Sequence, residues 1–251
     1  MTYNDGMSAR NFDMGRVISG TFSALTKNIL TFCAGAIVLL GVPQAISIFA
    51  ALNVAQGDES AGVLTLLAVP LSVIGSSILS GYIVYTVVAG YRGEDITIGE
   101  AYSGAIRSMF GLIVASVLMS LGLVLGFLLL IIPGIIFMVM WSVTIPALVV
   151  EGLGPTAAMK RSQELTKGAR WPIFWLSLIA VLINFALSFA SAGFSVTAVS
   201  GEEATLSVLL LQALVTILSS MIFGTGGAII YSELRTIKEG IGTEQLASVF
   251  D

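Results

Sequence analysis

Long apolar runs that alternate with short basic stretches constrain the fold of this chain more than any other feature. All 11 Lys and Arg residues fall into four stretches. They are Arg10, Arg16 and Lys27; Arg92 and Arg107; Lys160, Arg161, Lys167 and Arg170; and Arg235 and Lys238. Each apolar run between two stretches is long enough for two membrane crossings, and the far ends of these crossings contain no Lys or Arg. The pattern therefore predicts a membrane protein whose basic segments all lie on one side.

The composition indicates the same class of protein. The chain of 251 residues is 56% hydrophobic and 10% charged, with a mean hydropathy of +0.98. Soluble domains carry about 25% charged residues, so this chain is too apolar to cover itself with polar surface. The single cysteine, Cys33, excludes an intrachain disulfide. The residues before position 29 lack the apolar core of a signal peptide, and we expect the first crossing to act as an uncleaved anchor.

Six helical crossings are predicted, because each needs about 20 mostly apolar residues. They cover about 29–52, 63–89, 109–131, 134–150, 171–192 and 205–231. The apolar stretch 109–150 is too long for one span, and we expect Ile-Pro-Gly at 132–134 to divide it, since proline cannot continue a helix interior. Pro146 is expected to bend the short fourth crossing. Polar turns are predicted at 53–60 and 195–204.

The charges also predict an orientation. An even number of crossings places both termini on one side of the membrane, and the positive-inside rule makes that side cytoplasmic. The outer turns contain four acidic residues, Asp58, Glu59, Glu202 and Glu203, and no cation. We therefore predict a multi-pass protein of a bacterial inner (plasma) membrane with both termini in the cytoplasm.

A short amphipathic segment precedes each pair of crossings. Apolar residues recur at helical spacing over 14–25, and the same spacing returns over 98–109. The segment 154–167 is a weaker copy, with Pro155 suited to the first helical position and Gly168 to the helix end.

The predicted fold class is accordingly all-α, a polytopic membrane protein of six transmembrane helices. It is built as three repeats of an interfacial amphipathic helix followed by a transmembrane hairpin. Two interpretations of the amphipathic helices stay open. They can lie in the headgroup plane with their apolar stripe toward the lipid, or they can pack beneath the bundle as polar-faced connectors.

Three cytoplasmic motifs carry a resemblance to a known family. They are FDMGRVI from Phe12, EGLGPTAAMKRSQELTKG from Glu151 and YSELRTIKEG from Tyr231. Together they resemble the membrane domain of bacterial glycerophosphoryl diester phosphodiesterases and related stand-alone integral membrane proteins of unknown function. In the full-length enzymes that domain is attached to a separate catalytic barrel, for which we expect no counterpart here. The resemblance thus implies the architecture and a link to lipid or envelope biology, not the activity.

The residues needed for such hydrolytic chemistry are not present in the sequence. The chain contains no His, which is the usual general base and metal ligand near neutral pH. Cys33 has apolar neighbours, which indicates a core position and not an activated nucleophile. No GxxxxGK[ST] phosphate loop occurs, and no Asp/Glu cluster has the spacing of metal ligands. We therefore predict no enzyme, no cofactor and no metal.

Polar residues within the crossings are few. Gln44, Asn184 and Gln212 are predicted to form hydrogen bonds between helices more readily than a substrate site. The small-residue pairs Gly122/Gly126 and Gly224/Ala228 are expected to allow helices to approach closely.

The basic stretch after the fourth crossing is the main candidate for recognition. Lys160, Arg161, Lys167 and Arg170 can hold anionic lipid headgroups, at about 1 kcal/mol per basic residue, or they can serve only to set the topology.

Carboxylates at the inner ends of two crossings are candidates for ion pairs. Glu151 and Glu233 end the fourth and sixth crossings and can pair with Arg161 or Arg235, which would join the repeats. The alternative is that both are solvated interfacial carboxylates.

Two functional hypotheses follow. The first is a non-enzymatic inner-membrane module or accessory subunit linked to lipid or envelope processes. The second is a channel or transporter for a small uncharged or amphipathic solute, since proline-interrupted helices often line transport sites. The expected partners are membrane lipids and a protein partner or a second copy of the chain. No basic patch interleaved with aromatic residues indicates nucleic acid.

Overall fold

The computed structural model describes residues 12–55, 61–91, 93–94, 96–197 and 202–239. All regular elements within these ranges are α-helices, which confirms the predicted all-α class. In chain order they are α1 (Met14–Lys27), α2 (Ile29–Ala55), α3 (Ala61–Tyr91), α4 (Ile98–Arg107), α5 (Met109–Leu129), α6 (Ile131–Met140), α7 (Thr144–Glu151), α8 (Pro155–Thr166), α9 (Arg170–Thr197) and α10 (Glu202–Glu239).

Six segments are long and apolar enough to cross a membrane. They are Ile29–Val54, Gly62–Tyr91, Met109–Leu129, Ile131–Glu151, Arg170–Ser191 and Ser207–Glu239. Their outward surfaces are apolar, with Leu30 83%, Phe110 79% and Leu128 78% exposed. Large apolar side chains exposed over so wide an area suit contact with lipid chains and not with water. The structure thus confirms the predicted number of segments that are long and apolar enough to span a membrane.

The division between the third and fourth spans lies just before the predicted one. A single extended residue, Leu130 (φ −167°, ψ 153°), separates α5 from α6. Pro133 does not cause this break, because it lies in the first turn of α6, where the helix does not use its amide hydrogen. The fourth span, predicted as one helix, consists of α6 and α7, with Pro146 in the first turn of α7.

Other helix ends differ from the predicted turns. Residues 53–55 belong to α2, residues 195–197 to α9 and residues 202–204 to α10, so these parts of the two predicted turns are helical. Residues 56–60 and 198–201 lie outside the described ranges. The sixth helix, α10, continues to Glu239, well beyond the predicted end at Tyr231.

The predicted amphipathic segments form the helices α1, α4 and α8, which we call the short helices. Asp13 caps α1 through its side chain. A capping box starts α4, because the Thr97 hydroxyl accepts from the amide of Glu100 at 3.3 Å and the Glu100 carboxylate accepts from the amide of Thr97 at 2.8 Å. Pro155 is the first residue of α8, and Gly168 follows its end with φ +96°, a conformation that favours glycine.

Each short helix packs against a membrane-spanning one. α1 packs against α10, α4 against α3 and α8 against α7. Ala101 and Ala105 of α4 and Ala158 and Ser162 of α8 are fully buried in these contacts. This burial favours the connector alternative over helices that lie free in the headgroup plane. The element order places one short helix before each pair of spans, whereas the structural equivalence of the three units stays a prediction.

Small residues of α5 allow a close contact with the fourth span. A Cβ atom on Gly122 of α5 would lie 2.5 Å from the Trp141 ring, and one on Gly126 would lie 2.9 Å from the Phe137 ring. The two rings themselves stack with centroids 4.8 Å apart. The predicted close approach at Gly122 and Gly126 therefore seats two aromatic rings of the fourth span against α5.

Candidate functional site

The fourth span is interrupted at residues 141–143, between α6 and α7. A break inside a membrane leaves backbone groups that water cannot satisfy. Ser162 of α8, which is fully buried, satisfies two of them. Its hydroxyl donates to the carbonyl of Met140 at 2.7 Å and accepts from the amide of Val143 at 3.3 Å. A short helix outside the membrane-spanning set therefore stabilises the break.

One backbone acceptor at the break keeps no partner. The carbonyl of Ser142 lies before the first turn of α7 and after the end of α6, so it belongs to neither helix. No hydrogen bond to this carbonyl occurs among the described residues. Its oxygen lies close to Gly227 of α10, where a Cβ atom would be 3.7 Å away. The break thus presents an unused acceptor toward α10.

A cavity of about 450 Å³ lies between this break and helices α3, α9 and α10. Half of the residues that line it carry hydroxyl or amide side chains: Ser80, Ser142, Asn184, Ser188, Thr216, Ser219 and Ser220. The described lining residues include no Asp, Glu, Lys or Arg. The site is therefore polar and uncharged, and it lies within the membrane-spanning part of the bundle.

The hydrogen bonds of the cavity wall run mostly within single helices. Ser80 donates to Ser76, Thr216 to Gln212 and Ser220 to Thr216, each to a backbone carbonyl. The amide nitrogen of Asn184 donates instead to the hydroxyl of Ser219 and joins α9 to α10. The interhelical bond predicted for Asn184 is confirmed. Because these hydroxyl hydrogens are already engaged, the wall mainly offers oxygen lone pairs.

A closed ring of hydrogen bonds joins α7, α8 and α10 at the end of the bundle that carries α1 and α8, which we call the basic end. The Arg161 Nε atom lies 2.9 Å from both carboxylate oxygens of Glu151, and its Nη2 atom donates to Glu239. The Nε atom of Arg235 donates to Glu239 at 2.6 Å. The Tyr231 hydroxyl donates to Glu151 at 2.9 Å and accepts from Arg235 at 3.4 Å, which closes the ring.

The ring is electrostatically balanced, since its two carboxylates face its two guanidinium groups. All four charged side chains are 17–29% exposed. Burial disfavours the charge of Arg161, but the hydrogen bonds and attraction of Glu151 and Glu239 outweigh it and raise the pKa of Arg161 above its ordinary value. Arg161 is therefore held as a structural cation.

Two further contacts gather helices at the basic end. The Nη2 atom of Arg16 on α1 lies 2.7 Å from the carboxylate of Glu233 on α10. Lys238 donates to the backbone carbonyl of Glu164 on α8 at 2.7 Å. Glu233 thus contacts Arg16, not the Arg161 or Arg235 expected from the sequence. These contacts bring basic residues of three separate stretches to one end of the bundle.

The predicted basic cluster divides into two parts. Arg161 belongs to the ring, whereas Lys160, Lys167 and Arg170 are exposed and form no ion pair within the described residues. Next to them, Trp171 is 74% and Trp175 50% exposed. Exposed tryptophans beside cations are typical of a membrane–water interface.

The remaining polar candidates are not gathered into a site. Gln44 is half-buried on α2 and Gln212 is exposed on α10, and neither side chain forms a hydrogen bond within the described ranges. Cys33 packs against the core as a free thiol. Among the described residues, no group of three or more Asp, Glu, His or Cys is placed to hold a metal ion.

Sequence reasoning missed Ser162, Tyr231 and Glu239. A signal for the last two exists, because Tyr231, Arg235 and Glu239 follow one another at intervals of four residues and share a helix face. No comparable signal marks Ser162, whose partners are backbone groups exposed by a break in another helix.

A family model described as a domain of unknown function, DUF7847, matches residues 77–233. No curated protein and no solved structure matches the chain. The matched region runs from α3 into α10 and contains the helix break, every residue that lines the cavity and three members of the ring. Because the match covers more than half of the chain, the protein belongs to the DUF7847 family.

Proposed function

We propose that this protein is a non-enzymatic integral membrane module, or accessory subunit, whose basic end binds anionic lipid headgroups. One observation carries the proposal: the structure leaves Lys160, Lys167 and Arg170 exposed beside Trp171, while it engages Arg161 in the ring. The exposed cations are free to face a ligand, and the tryptophans suit the headgroup level of a bilayer.

Hydrogen bonds and ion pairs fix the position of α8, which carries part of this basic surface. The ring attaches α8 to α7 and α10, and Lys238 attaches it again through Glu164. Since the ring neutralises itself, the positive charge of this surface comes from Lys160 on α8 and from Lys167 and Arg170 just beyond its end, and it outweighs the exposed carboxylate of Glu164. Each can contribute about 1 kcal/mol to the binding of an anionic surface.

The proposal includes a location and an orientation. We place the protein in a bacterial inner membrane with the basic end and both termini in the cytoplasm, because the positive-inside rule puts Lys and Arg there. The resemblance to the membrane domain of glycerophosphoryl diester phosphodiesterases supports a link to lipid or envelope processes. A protein partner or a second copy of the chain would supply any activity.

Tryptophan quenching by brominated lipids tests the headgroup site. The chain has three tryptophans, and Trp171 and Trp175 lie exposed next to the cations. In reconstituted full-length protein, brominated phosphatidylglycerol should quench more strongly than brominated phosphatidylcholine. Lys160→Gln with Lys167→Gln should reduce this preference by roughly 30-fold in relative affinity at low ionic strength, since two contributions of about 1 kcal/mol are lost.

The matched control removes the same charge elsewhere on the short helices. Lys27→Gln with Arg107→Gln changes the exposed ends of α1 and α4 and should leave the preference for phosphatidylglycerol intact. Equal losses in the two double variants would mean that net charge, and not the α8 surface, attracts the lipid. Hydrolysis of glycerophosphodiesters by the purified chain alone would contradict the non-enzymatic role.

The helix break supports a second candidate, a channel or transporter for a small uncharged or amphipathic solute. Broken helices beside polar cavities are the usual sites of solute binding in transporters, and the fourth span has both features. Flux of an uncharged solute into proteoliposomes that contain the protein would support transport. Flux no faster than in protein-free vesicles would exclude it for that solute.

A further inference from the structure

We propose that the cavity beside the α6–α7 break binds the hydroxyl groups of an uncharged molecule. The geometry of four residues points to this ligand class: Ser142 with its unused carbonyl, Asn184 and Ser219 with their linked side chains, and Gly227, where a Cβ atom would lie 3.7 Å from the Ser142 oxygen. All four lie within the region matched by the family and are separate from the basic end.

The carbonyl of Ser142 supplies the anchoring acceptor. It lies between α6 and α7 and accepts no hydrogen bond among the described residues, and a carbonyl without a donor in a membrane costs more than one that is hydrogen-bonded. Ser162 satisfies Met140 and Val143 on the α8 side of the break but does not reach Ser142. A ligand O–H group would provide the donor that the protein does not.

The rest of the cavity wall also presents acceptors, which favour a ligand that carries hydrogen-bond donors. The hydroxyl hydrogens of Ser80, Thr216 and Ser220 are committed to backbone carbonyls, so their oxygens remain as acceptors. Asn184 uses an amide hydrogen on Ser219 and keeps its own carbonyl oxygen as an acceptor. A ligand that brings several O–H groups fits this wall better than one that brings only acceptors.

The wall also argues against a charged ligand. A cation would find lone pairs, but the described lining residues contain no carboxylate to balance its charge. An uncompensated charge at this depth is strongly disfavoured. An anion would find no cation among the described lining residues, and most of the hydroxyl hydrogens of the wall are already used within the protein. An uncharged hydroxylated ligand meets no such cost.

Access to the cavity runs through its side. Ser188 of α9 and Thr216 of α10 line the cavity and are exposed, and both lie within membrane-spanning segments. Hydroxyl groups carried by an uncharged lipid could enter there from the bilayer, and a water-soluble polyol is the other source of the same chemistry. The volume of about 450 Å³ is large enough for a headgroup of either kind.

This inference concerns binding, and it names the substrate class of the second candidate function without requiring transport. Binding without flux would contradict the transporter and leave the site intact. The quenching experiment on the basic end involves none of the cavity residues, so its failure would not affect this site either.

Photolabelling of the full chain in nanodiscs tests the lipid source. The probe is monooleoylglycerol with a diazirine in its acyl chain, and labelled peptides are identified by mass spectrometry. We expect labelling of α9 and α10, which unlabelled monooleoylglycerol displaces. Gly227→Met fills the space in front of Ser142 and should reduce the labelling about tenfold, as expected for the loss of one well-placed hydrogen bond.

Glycerol tests the water-soluble source. Saturation-transfer NMR should show contact between glycerol and the wild-type protein, with loss of the signal in Gly227→Met, if a free polyol enters the cavity. Either probe with a Gly227-dependent signal supports the inference and identifies the source. If neither signal depends on Gly227, the inference is wrong.

Two further variants separate binding from folding. Gly41→Met on α2 places the same side chain where a Cβ atom meets only Ile37 at 3.9 Å, and it should retain full labelling. Gly227→Ala adds one methyl group in ordinary contact with Ser142, so it should fold normally and show an intermediate loss. Wild-type labelling in Gly227→Ala together with complete loss in Gly41→Met would contradict the site.

Discussion

The hydroxyl of Ser162 donates a 2.7 Å hydrogen bond to the carbonyl of Met140 and thereby connects α8 to the break in the fourth span. The same oxygen accepts from the amide of Val143. A helix at the surface of the bundle thus satisfies backbone groups in a membrane-spanning segment, where water cannot do so. Ser142, which lines the cavity, lies in the chain between the two residues that Ser162 contacts.

Removal of this hydroxyl should destabilise the protein. Ser162→Ala leaves a buried carbonyl and a buried amide without partners, at a cost of about 1–3 kcal/mol. The measurement is the free energy of unfolding in mixed micelles. Ser103→Ala is the control, because Ser103 is exposed on α4 and donates only to the carbonyl of Glu100 within its own turn. An equal effect of the two changes would show that the break does not need Ser162.

The ring at the basic end should behave as a coupled unit. Arg161→Gln leaves Glu151 and Glu239 without their shared cation and should cost about 1–3 kcal/mol of unfolding free energy. In a double-mutant cycle with Glu239→Gln, we expect a coupling energy of about 0.5–3 kcal/mol. Lys160→Gln, one residue away and exposed, should stay within about 0.5 kcal/mol of wild type. Strictly additive effects would mean that the two residues do not interact.

The phenol of Tyr231 connects the two halves of the ring. Tyr231→Phe removes only the hydroxyl that donates to Glu151 and accepts from Arg235. The phenyl group stays buried, so the free energy of unfolding should fall by about 1 kcal/mol, and this loss should come from hydrogen bonding alone. Tyr85→Phe is the control at a partly exposed tyrosine of α3. Unfolding free energies that are the same for wild type and Tyr231→Phe would contradict this role.

The capping box of α4 should make stability depend on pH. Hydrogen bonds from the amide and the hydroxyl of Thr97 lower the pKa of Glu100 below its ordinary value. A carboxylate with a lowered pKa stabilises the fold above its ordinary pKa, and this stabilisation is lost as the pH falls through the folded-state pKa.

Thermal unfolding as a function of pH measures this effect. Wild type should be more stable than Glu100→Gln at neutral pH, and the difference should begin to shrink near the ordinary pKa of glutamate, at about pH 4, and disappear only once the pH is below the lowered folded-state pKa. Glu94→Gln, a nearby exposed carboxylate outside the box, should run parallel to wild type over this range. A constant difference between wild type and Glu100→Gln down to low pH would exclude a contribution from the charged carboxylate.

Cysteine accessibility tests the orientation. With Cys33 replaced, new cysteines at Asp58 and Glu202 should react with an impermeant thiol reagent from outside, because outer turns carry no cation. A cysteine at Lys160 should react only from the cytoplasmic side. Labelling of positions 58 and 160 from the same side would contradict the arrangement with six crossings.

The membrane-spanning architecture could be predicted because it depends on local properties of the chain. Spans need about 20 apolar residues, and the four basic stretches separate them into pairs. The starts of α1, α4 and α8 were also predictable, because amphipathic spacing and residues such as Pro155 act within a few positions.

The helix break and the cavity could not be predicted in the same way. Proline at 133 suggested a break there, yet a proline in the first turn of a helix disturbs nothing, and the chain turns at Leu130 instead. The interruption at 141–143 is stable because Ser162, far along the chain, supplies its hydrogen bonds. A hydroxyl in a sequence does not reveal which backbone group it will meet.

The sequence by itself determined that the chain has six segments long and apolar enough to span a membrane, because the hydropathy of a segment depends on its own residues and not on particular neighbours. Only the tertiary structure decided which cations are used. It engages Arg161 and Arg235 with Glu151 and Glu239 and leaves Lys160, Lys167 and Arg170 exposed. Within the described residues it also leaves the carbonyl of Ser142 without a hydrogen-bond donor, close to Gly227. Hydrogen bonds and ion pairs require distances of a few ångströms between residues far apart in the chain, and folding alone sets those distances.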